Sequence, residues 1–97
     1  MDSKYAVTRK YQFSPSASAE IAKHVQESLI PLLRQTRGFV AYYWVDSAAG
    51  QDISLSVFEN QSGADESVRL AAEYVKEHLA AILGTPEITK GDVLALS

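Results

Sequence analysis

The residues of this chain that could do proton chemistry near neutral pH are two histidines, because there is no cysteine. His78 is predicted at the margin of the apolar stripe of a second helix, where an imidazole beside a helix–sheet crevice can move a proton. The same position also suits a half-exposed histidine near a helix C-terminus, favoured by the helix dipole. His24, predicted on the flank of a first helix, is the weaker candidate. The sequence places no carboxylate beside His24 and His78, so we expect no metal site.

An aromatic cluster is the second candidate for chemistry. Tyr42, Tyr43 and Trp44 are consecutive on a predicted strand, so Tyr43 must point to one face and the other two to the opposite face. Aromatic side chains with a polar tip suit either a ligand pocket or a subunit interface, and plain core packing is the alternative. We take as candidate substrate-binding residues Tyr42, Trp44, Tyr74 and Phe58.

Two polar residues complete the candidate site. Arg9 interrupts the apolar side of the first predicted strand. It could pair with an acid, bind an anionic or carbonyl group of a ligand, or, as the simplest interpretation, reach past the edge of the sheet. Asn60 follows the third predicted strand, where it could orient a substrate carbonyl or cap the next helix.

Composition excludes several classes of protein. Nine basic residues against twelve acidic ones, a net charge of −3, give no positive field for nucleic acid. The lack of cysteine excludes disulfides, thiolate chemistry and iron–sulfur clusters. No apolar run approaches the roughly 20 residues that span a bilayer, and no signal peptide is visible. We therefore expect a cytoplasmic protein with no membrane or nucleic-acid partner.

Periodicity predicts six elements. Residues 5–13 alternate as a strand, and apolar residues then recur at helical spacing up to Gly38, with Pro31 predicting a kink or break. Residues 39–45 and 53–58 read as a hairpin of two strands. A second helix over 62–83 and a weaker strand over 88–96, expected at a sheet edge, complete the order.

This order predicts one α+β domain over 1–97, with a core of about 5–95 and a ferredoxin-like βαββαβ topology built on an antiparallel sheet. Both faces of the 39–45 strand are apolar, whereas a two-layer monomer covers only one. We therefore predict a homodimer formed through the sheet face.

The motif Thr36-Arg37-Gly38-Phe39 before an aromatic strand, and Ser56-Val57-Phe58-Glu59 before a helix that contains His78, resemble the antibiotic biosynthesis monooxygenase-like family. The resemblance implies a dimeric α/β barrel. It also implies an apolar cavity in which a substrate carbanion activates oxygen without metal or flavin. The haem-degrading branch of that family pairs an Asn on the first strand with a Trp and a His on the second helix. Here the first strand has no Asn and the second helix has no Trp, and only His78 lies near an expected position.

Two functions follow from these expectations. The first is a cofactor-independent monooxygenase acting on a small aromatic or polyketide-like compound, with His78 assisting proton transfer. The second is a non-catalytic homodimeric domain that binds a small molecule or serves a stress-related role. A cavity of at least ~300 Å³ with convergent polar groups would favour the enzyme.

Overall fold

The computed structural model describes residues 4–48 and 50–95. In this range helices and strands follow one another in the predicted order. The elements are β1 (Tyr5–Gln12), a 3₁₀ turn (Pro15–Ala17), α1 (Ser18–His24), a π-helical segment (Val25–Leu29), α2 (Ile30–Arg34), β2 (Phe39–Ala48), β3 (Gln51–Phe58), α3 (Gln61–His78) and β4 (Glu87–Asp92).

The four strands form one antiparallel sheet in the order β2-β3-β1-β4. This is the order of a ferredoxin-like βαββαβ unit, so the predicted fold class is confirmed. β1 lies inside the sheet between β3 and β4, and β4 is at an edge, as expected. β4 ends at Asp92; of the predicted 88–96 strand, Leu96 lies outside the described residues.

Of the kink or break predicted at Pro31, a break is not seen, because the helical backbone runs on from Ser18 to Arg34. The irregularity comes just before the proline, where the Ile30 N–H donates to the Val25 carbonyl in a widened π-helical turn. Pro31 follows this widened turn directly, as the second residue of α2. No helix of the described residues is both long and apolar enough to cross a bilayer.

The helices cover one face of the sheet. Their apolar residues, including Ile21, Leu33 and Ala71, pack against Tyr11 and its neighbours on this inner face. None of the helices among the described residues lies on the opposite face, which we call the open face. It presents Ala41, Tyr43 and Val45 of β2 and Ile53, Leu55 and Val57 of β3, with Tyr43 and Val45 58% and 51% exposed.

The N-terminus of α3 is held close to the sheet by two features. The Asn60 side chain caps the helix, because its Oδ1 accepts the Gly63 N–H at 3.0 Å. Gly63 itself lies so close to the Arg37 carbonyl that a Cβ would stand 2.4 Å from that oxygen. α3 therefore begins at a fixed point, and its C-terminal half extends over β1 towards β4.

Candidate functional site

Arg9 lies inside the molecule with 2% of its surface exposed. The interpretation that it reaches past the sheet edge is wrong, because Arg9 lies on the helix-covered face of a strand inside the sheet. Its Nη1 donates to the Ser56 Oγ at 3.2 Å, and its Nη2 makes no hydrogen bond. No carboxylate of the described residues lies within 4.0 Å of the guanidinium. Arg9 is therefore a buried cation without a described anion.

Aromatic side chains surround this cation on the inner face. The rings of Tyr11 and Trp44 lie 5.3 Å apart, and Tyr42 is on the same face across β3. Burial raises the pKa of Tyr42 well above its usual value, Tyr11 adds to the rise, and Ser54 and Arg9 oppose it. Burial likewise raises the pKa of Tyr11 against the effect of Arg9. Both phenols therefore stay protonated at physiological pH and can donate hydrogen bonds.

A carboxyl group stands at one end of the same face. Asp52 is 3% exposed, and its Oδ2 accepts the Trp44 indole N–H at 2.7 Å, whereas its Oδ1 has no hydrogen-bond partner. Burial raises the pKa of Asp52; the Trp44 hydrogen bond opposes this rise and the cross-strand neighbour Asp46 adds to it. We refer to Arg9, Tyr11, Tyr42, Trp44 and Asp52 as the inner cluster.

A cavity of about 430 Å³ adjoins the inner cluster at Tyr11. This volume lies within the range of small-molecule sites. The cavity lies between the C-terminal part of α3, the segment 80–86 that follows it, and the sheet, and most of its lining is apolar. It is lined by Tyr11, Ala72, Val75, Lys76, Ala80, Leu83, Gly84, Thr85, Pro86 and Ile88. The expected size for a substrate cavity is present, and Tyr11 connects it to Arg9 two residues earlier on the same face.

The two histidines meet on the other side of α3. His24 Nδ1 and the Tyr74 hydroxyl are 2.6 Å apart, and the Tyr74 and His78 rings are centred 4.6 Å apart. The His78 side chain is 51% exposed, with Nε2 3.8 Å from Glu77. Among the described residues, no three histidine or acidic side chains come together as a metal site requires. We refer to His24, Tyr74 and His78 as the histidine cluster. None of these three residues lines the 430 Å³ cavity.

The seven predicted site residues therefore fall into separate groups. Arg9, Tyr42 and Trp44 come together in the inner cluster, whereas Tyr74 and His78 contact each other in the histidine cluster. Phe58 is fully buried against Phe39 in a smaller core cluster, with ring centres 5.9 Å apart. Asn60 is occupied as the helix cap described above.

Sequence reasoning missed several polar residues of the inner face, namely Tyr11, Asp52, Ser54, Ser56 and the cavity-lining Lys76. The three from β3 alternate with Ile53, Leu55 and Val57, a pattern that normally places the apolar set inside. The signal that could have reversed this assignment was Arg9. A cation on the face it shares with Tyr11 needs polar neighbours across the sheet.

Comparison with known proteins shows the fold. No family model and no curated protein matches the chain. A protein of unknown function from Nitrosomonas europaea, NE2512, superposes with a TM-score of 0.83 at 21% identity, covering 99% of this chain and 94% of that one. The cofactor-independent oxygenase SnoaB from Streptomyces nogalater gives 0.73 at 9% identity over 97% and 96%. A dimeric ferredoxin-like protein from an uncultured marine organism gives 0.77 at 12% over 97% of both chains.

Proposed function

We propose that this protein is a cofactor-independent monooxygenase of the antibiotic biosynthesis monooxygenase-like type, acting on a small aromatic or polyketide-like compound. The observation that carries the proposal is the buried Arg9 guanidinium, which has a free Nη2 and no described carboxylate within 4.0 Å. The proposed role of Arg9 is to bind the anionic oxygen of an ionised substrate.

The energetics of Arg9 support this role. Removing a charge from water costs several kcal/mol unless a counter-charge and hydrogen bonds compensate. Ser56 supplies one acceptor, and the neutral phenols of Tyr11 and Tyr42 supply no charge. A phenolate or enolate oxygen would provide the missing anion, and Arg9 would in turn lower the pKa of the substrate group that ionises.

Ionisation is the step that cofactor-free oxygenation needs. Loss of a proton from an activated ring CH₂ gives a delocalised carbanion whose negative charge lies largely on oxygen. The carbanion transfers an electron to O₂ and combines with it to form a peroxide anion, which takes up a proton to give a hydroperoxide. Loss of water then leaves a carbonyl, so that one oxygen atom enters the product and the other leaves as water. The protein contributes an apolar cavity, a cation and phenolic donors.

The likeness to SnoaB supports the reaction class, since that protein is an oxygenase without a cofactor and shares this fold over nearly its whole length. Tyr42 and Trp44 are proposed to bind substrate with Arg9, because they lie beside it on the inner face. His78 as proton-transfer group, and Tyr74, Phe58 and Asn60 as substrate-binding residues, stay predictions. None of the seven predicted site residues lines the 430 Å³ cavity, and of the inner cluster only Tyr11 does.

The assembly proposed with this function is a homodimer through the open face. That face gathers six apolar side chains that no helix covers, and exposed apolar patches of this kind mark subunit interfaces. A dimeric ferredoxin-like protein of the same fold supports a dimeric assembly, without bearing on which face pairs. A dimer would bury the open face and leave the 430 Å³ cavity on the helix side of each subunit.

The test is oxygen uptake with a panel of anthrone-type and dihydroxyaromatic compounds, without added flavin or metal. We expect uptake with the wild-type protein and a loss of at least about 100-fold in Arg9→Met, since a buried charged contact is removed. Arg34→Met, an exposed position on α2, is the matched control. Uptake that survives Arg9→Met would contradict the proposed role of Arg9.

A second variant separates the two candidate proton-transfer regions. His78→Ala should abolish uptake if the histidine cluster moves the substrate proton, as predicted from the sequence. If His78→Ala keeps full uptake and Arg9→Met loses it, the chemistry belongs to the inner cluster. Substrate binding with no uptake by any protein would instead favour the non-catalytic binding domain.

A further inference from the structure

Lys76 is the one charged residue that the described chain contributes to the lining of the 430 Å³ cavity. Its acidic neighbours on α3 are engaged elsewhere. Glu73 accepts a hydrogen bond from Arg69 at 2.9 Å, and Glu77 lies 3.8 Å from His78. No carboxylate of the described residues lies within 4.0 Å of the Lys76 ammonium. The cavity therefore combines an apolar wall with one cation that is free to pair.

We propose that this cavity selects amphipathic monoanions, namely aromatic or polyketide-like carboxylic acids whose carboxylate pairs with Lys76. The inference deepens the proposed function, on which its catalytic meaning rests, by naming the substrate class. The apolar body of the ligand fills the space between Val75, Leu83 and Ile88, where contact with aliphatic side chains replaces water. A single cation at such a wall balances a single carboxylate.

Tyr11 gives the cavity its second polar end. Its ring lines the cavity, its hydroxyl hydrogen-bonds no described residue, and burial keeps that hydroxyl protonated. A ligand oxygen opposite the carboxylate can therefore accept a hydrogen bond from Tyr11, in the direction of Arg9. Lys76 and Tyr11 would orient an acid with its oxidisable ring towards the inner cluster and its carboxylate towards α3.

The experiment compares 2-naphthoate with 2-naphthamide, which has the same ring system and almost the same shape but no charge. Trp44 is the only tryptophan of the chain and contacts Tyr11, so its fluorescence reports occupancy of the cavity. We expect the wild-type protein to bind naphthoate about fivefold more tightly than naphthamide, the magnitude of a partly exposed ion pair. This preference should shrink as salt is added.

Three variants locate the effect. Lys76→Met should abolish the preference for naphthoate while leaving naphthamide affinity unchanged, and Lys76→Arg should keep it. Lys23→Met makes the same change of charge on α1, away from the cavity, and should behave as wild type. Ala72→Phe fills the cavity and should weaken both probes equally. An unchanged preference in Lys76→Met, or no binding of either probe to the wild-type protein, would overturn the inference.

The binding assay and the oxygen assay fail independently. A Lys76-dependent preference for naphthoate, in a protein that consumes no oxygen with any compound, would support the acid-binding cavity and refute the monooxygenase. Oxygen uptake at equal rates with neutral and carboxylated substrates, unaffected by Lys76→Met, would support the monooxygenase and refute the selection of acids.

Discussion

The two faces of β3 reverse the usual distribution of polarity. The inner face, under the helices, carries Asp52, Ser54 and Ser56, all at most 3% exposed. The open face carries Ile53, Leu55 and Val57, with no helix above them. In an ordinary half-buried strand the apolar set would be covered and the polar set would face water.

Each half of this reversal costs free energy if the monomer is considered alone. Burying a polar or charged group costs free energy unless the group is hydrogen-bonded, yet Asp52 Oδ1 and Arg9 Nη2 have no hydrogen-bond partner among the described residues. Uncovered apolar side chains forgo the stabilisation of burial. The inner face is consistent with a polar ligand and the open face with an apolar partner. The reversal therefore carries more functional information than any single motif in the chain.

The largest expected effect is on dimerisation and comes from a substitution on the open face. Leu55→Asp would place two symmetry-related carboxylates in the proposed interface, and an unpaired buried charge costs about 3–5 kcal/mol. We expect the dimer to weaken at least about 100-fold, seen as a shift to monomer by sedimentation velocity across a concentration series. Ser28→Asp, exposed on the helix side, is the control. Equal dimerisation of both variants would show that the open face is not the interface.

The second-largest expected effect is on the free energy of unfolding, and it tests the role of the inner face. In the absence of ligand, Arg9→Met should raise the free energy of unfolding by about 1–2 kcal/mol, measured by urea unfolding at a fixed protein concentration. Replacing an uncompensated buried charge with an apolar side chain of similar length is favourable, although the loss of the Ser56 hydrogen bond offsets about 1 kcal/mol of that gain. Arg34→Met should be nearly neutral. A destabilised Arg9→Met protein would mean that the guanidinium serves the fold.

The sequence allowed the topology to be predicted because its strongest patterns are local. Neighbouring residues are enough to predict the aromatic strand with two apolar faces, the Asn60 cap and the helical spacing around Ala71. The placement of Tyr43 opposite Tyr42 and Trp44 also follows from strand alternation. The π-helical segment before Pro31 escaped prediction, because a proline predicts irregularity without saying how the preceding turn will absorb it.

The site was harder to predict, because it depends on which face of each strand the helices cover. Alternation assigns Ser54 and Leu55 to opposite faces and cannot say which is inside. The meeting of His24 with His78 also depends on how two helices cross, which their separate sequences do not encode. Arg9 was recognised as anomalous on its face, but its burial follows from the central position of β1 together with the helices that cover that face.

The smallest expected effect concerns Asp52 and the pH dependence of stability. Its pKa is raised in the folded protein by burial and by Asp46, so the folded state binds the proton more tightly than the unfolded state. Stability contributed by this group is therefore present below the ordinary pKa of Asp and is lost as pH rises through the raised value. In Asp52→Asn this loss is absent, so the variant should gain stability relative to wild type as pH increases across that window.

Urea unfolding of both proteins from acidic to neutral pH measures the difference. The variant Asp46→Asn should lose less stability than wild type as pH rises, but the loss should not disappear, because burial is the larger cause of the raised pKa. Parallel profiles for wild type and Asp52→Asn would mean that the Asp52 carboxyl, despite its buried and unpartnered oxygen, is solvated as well in the folded chain as in the unfolded one.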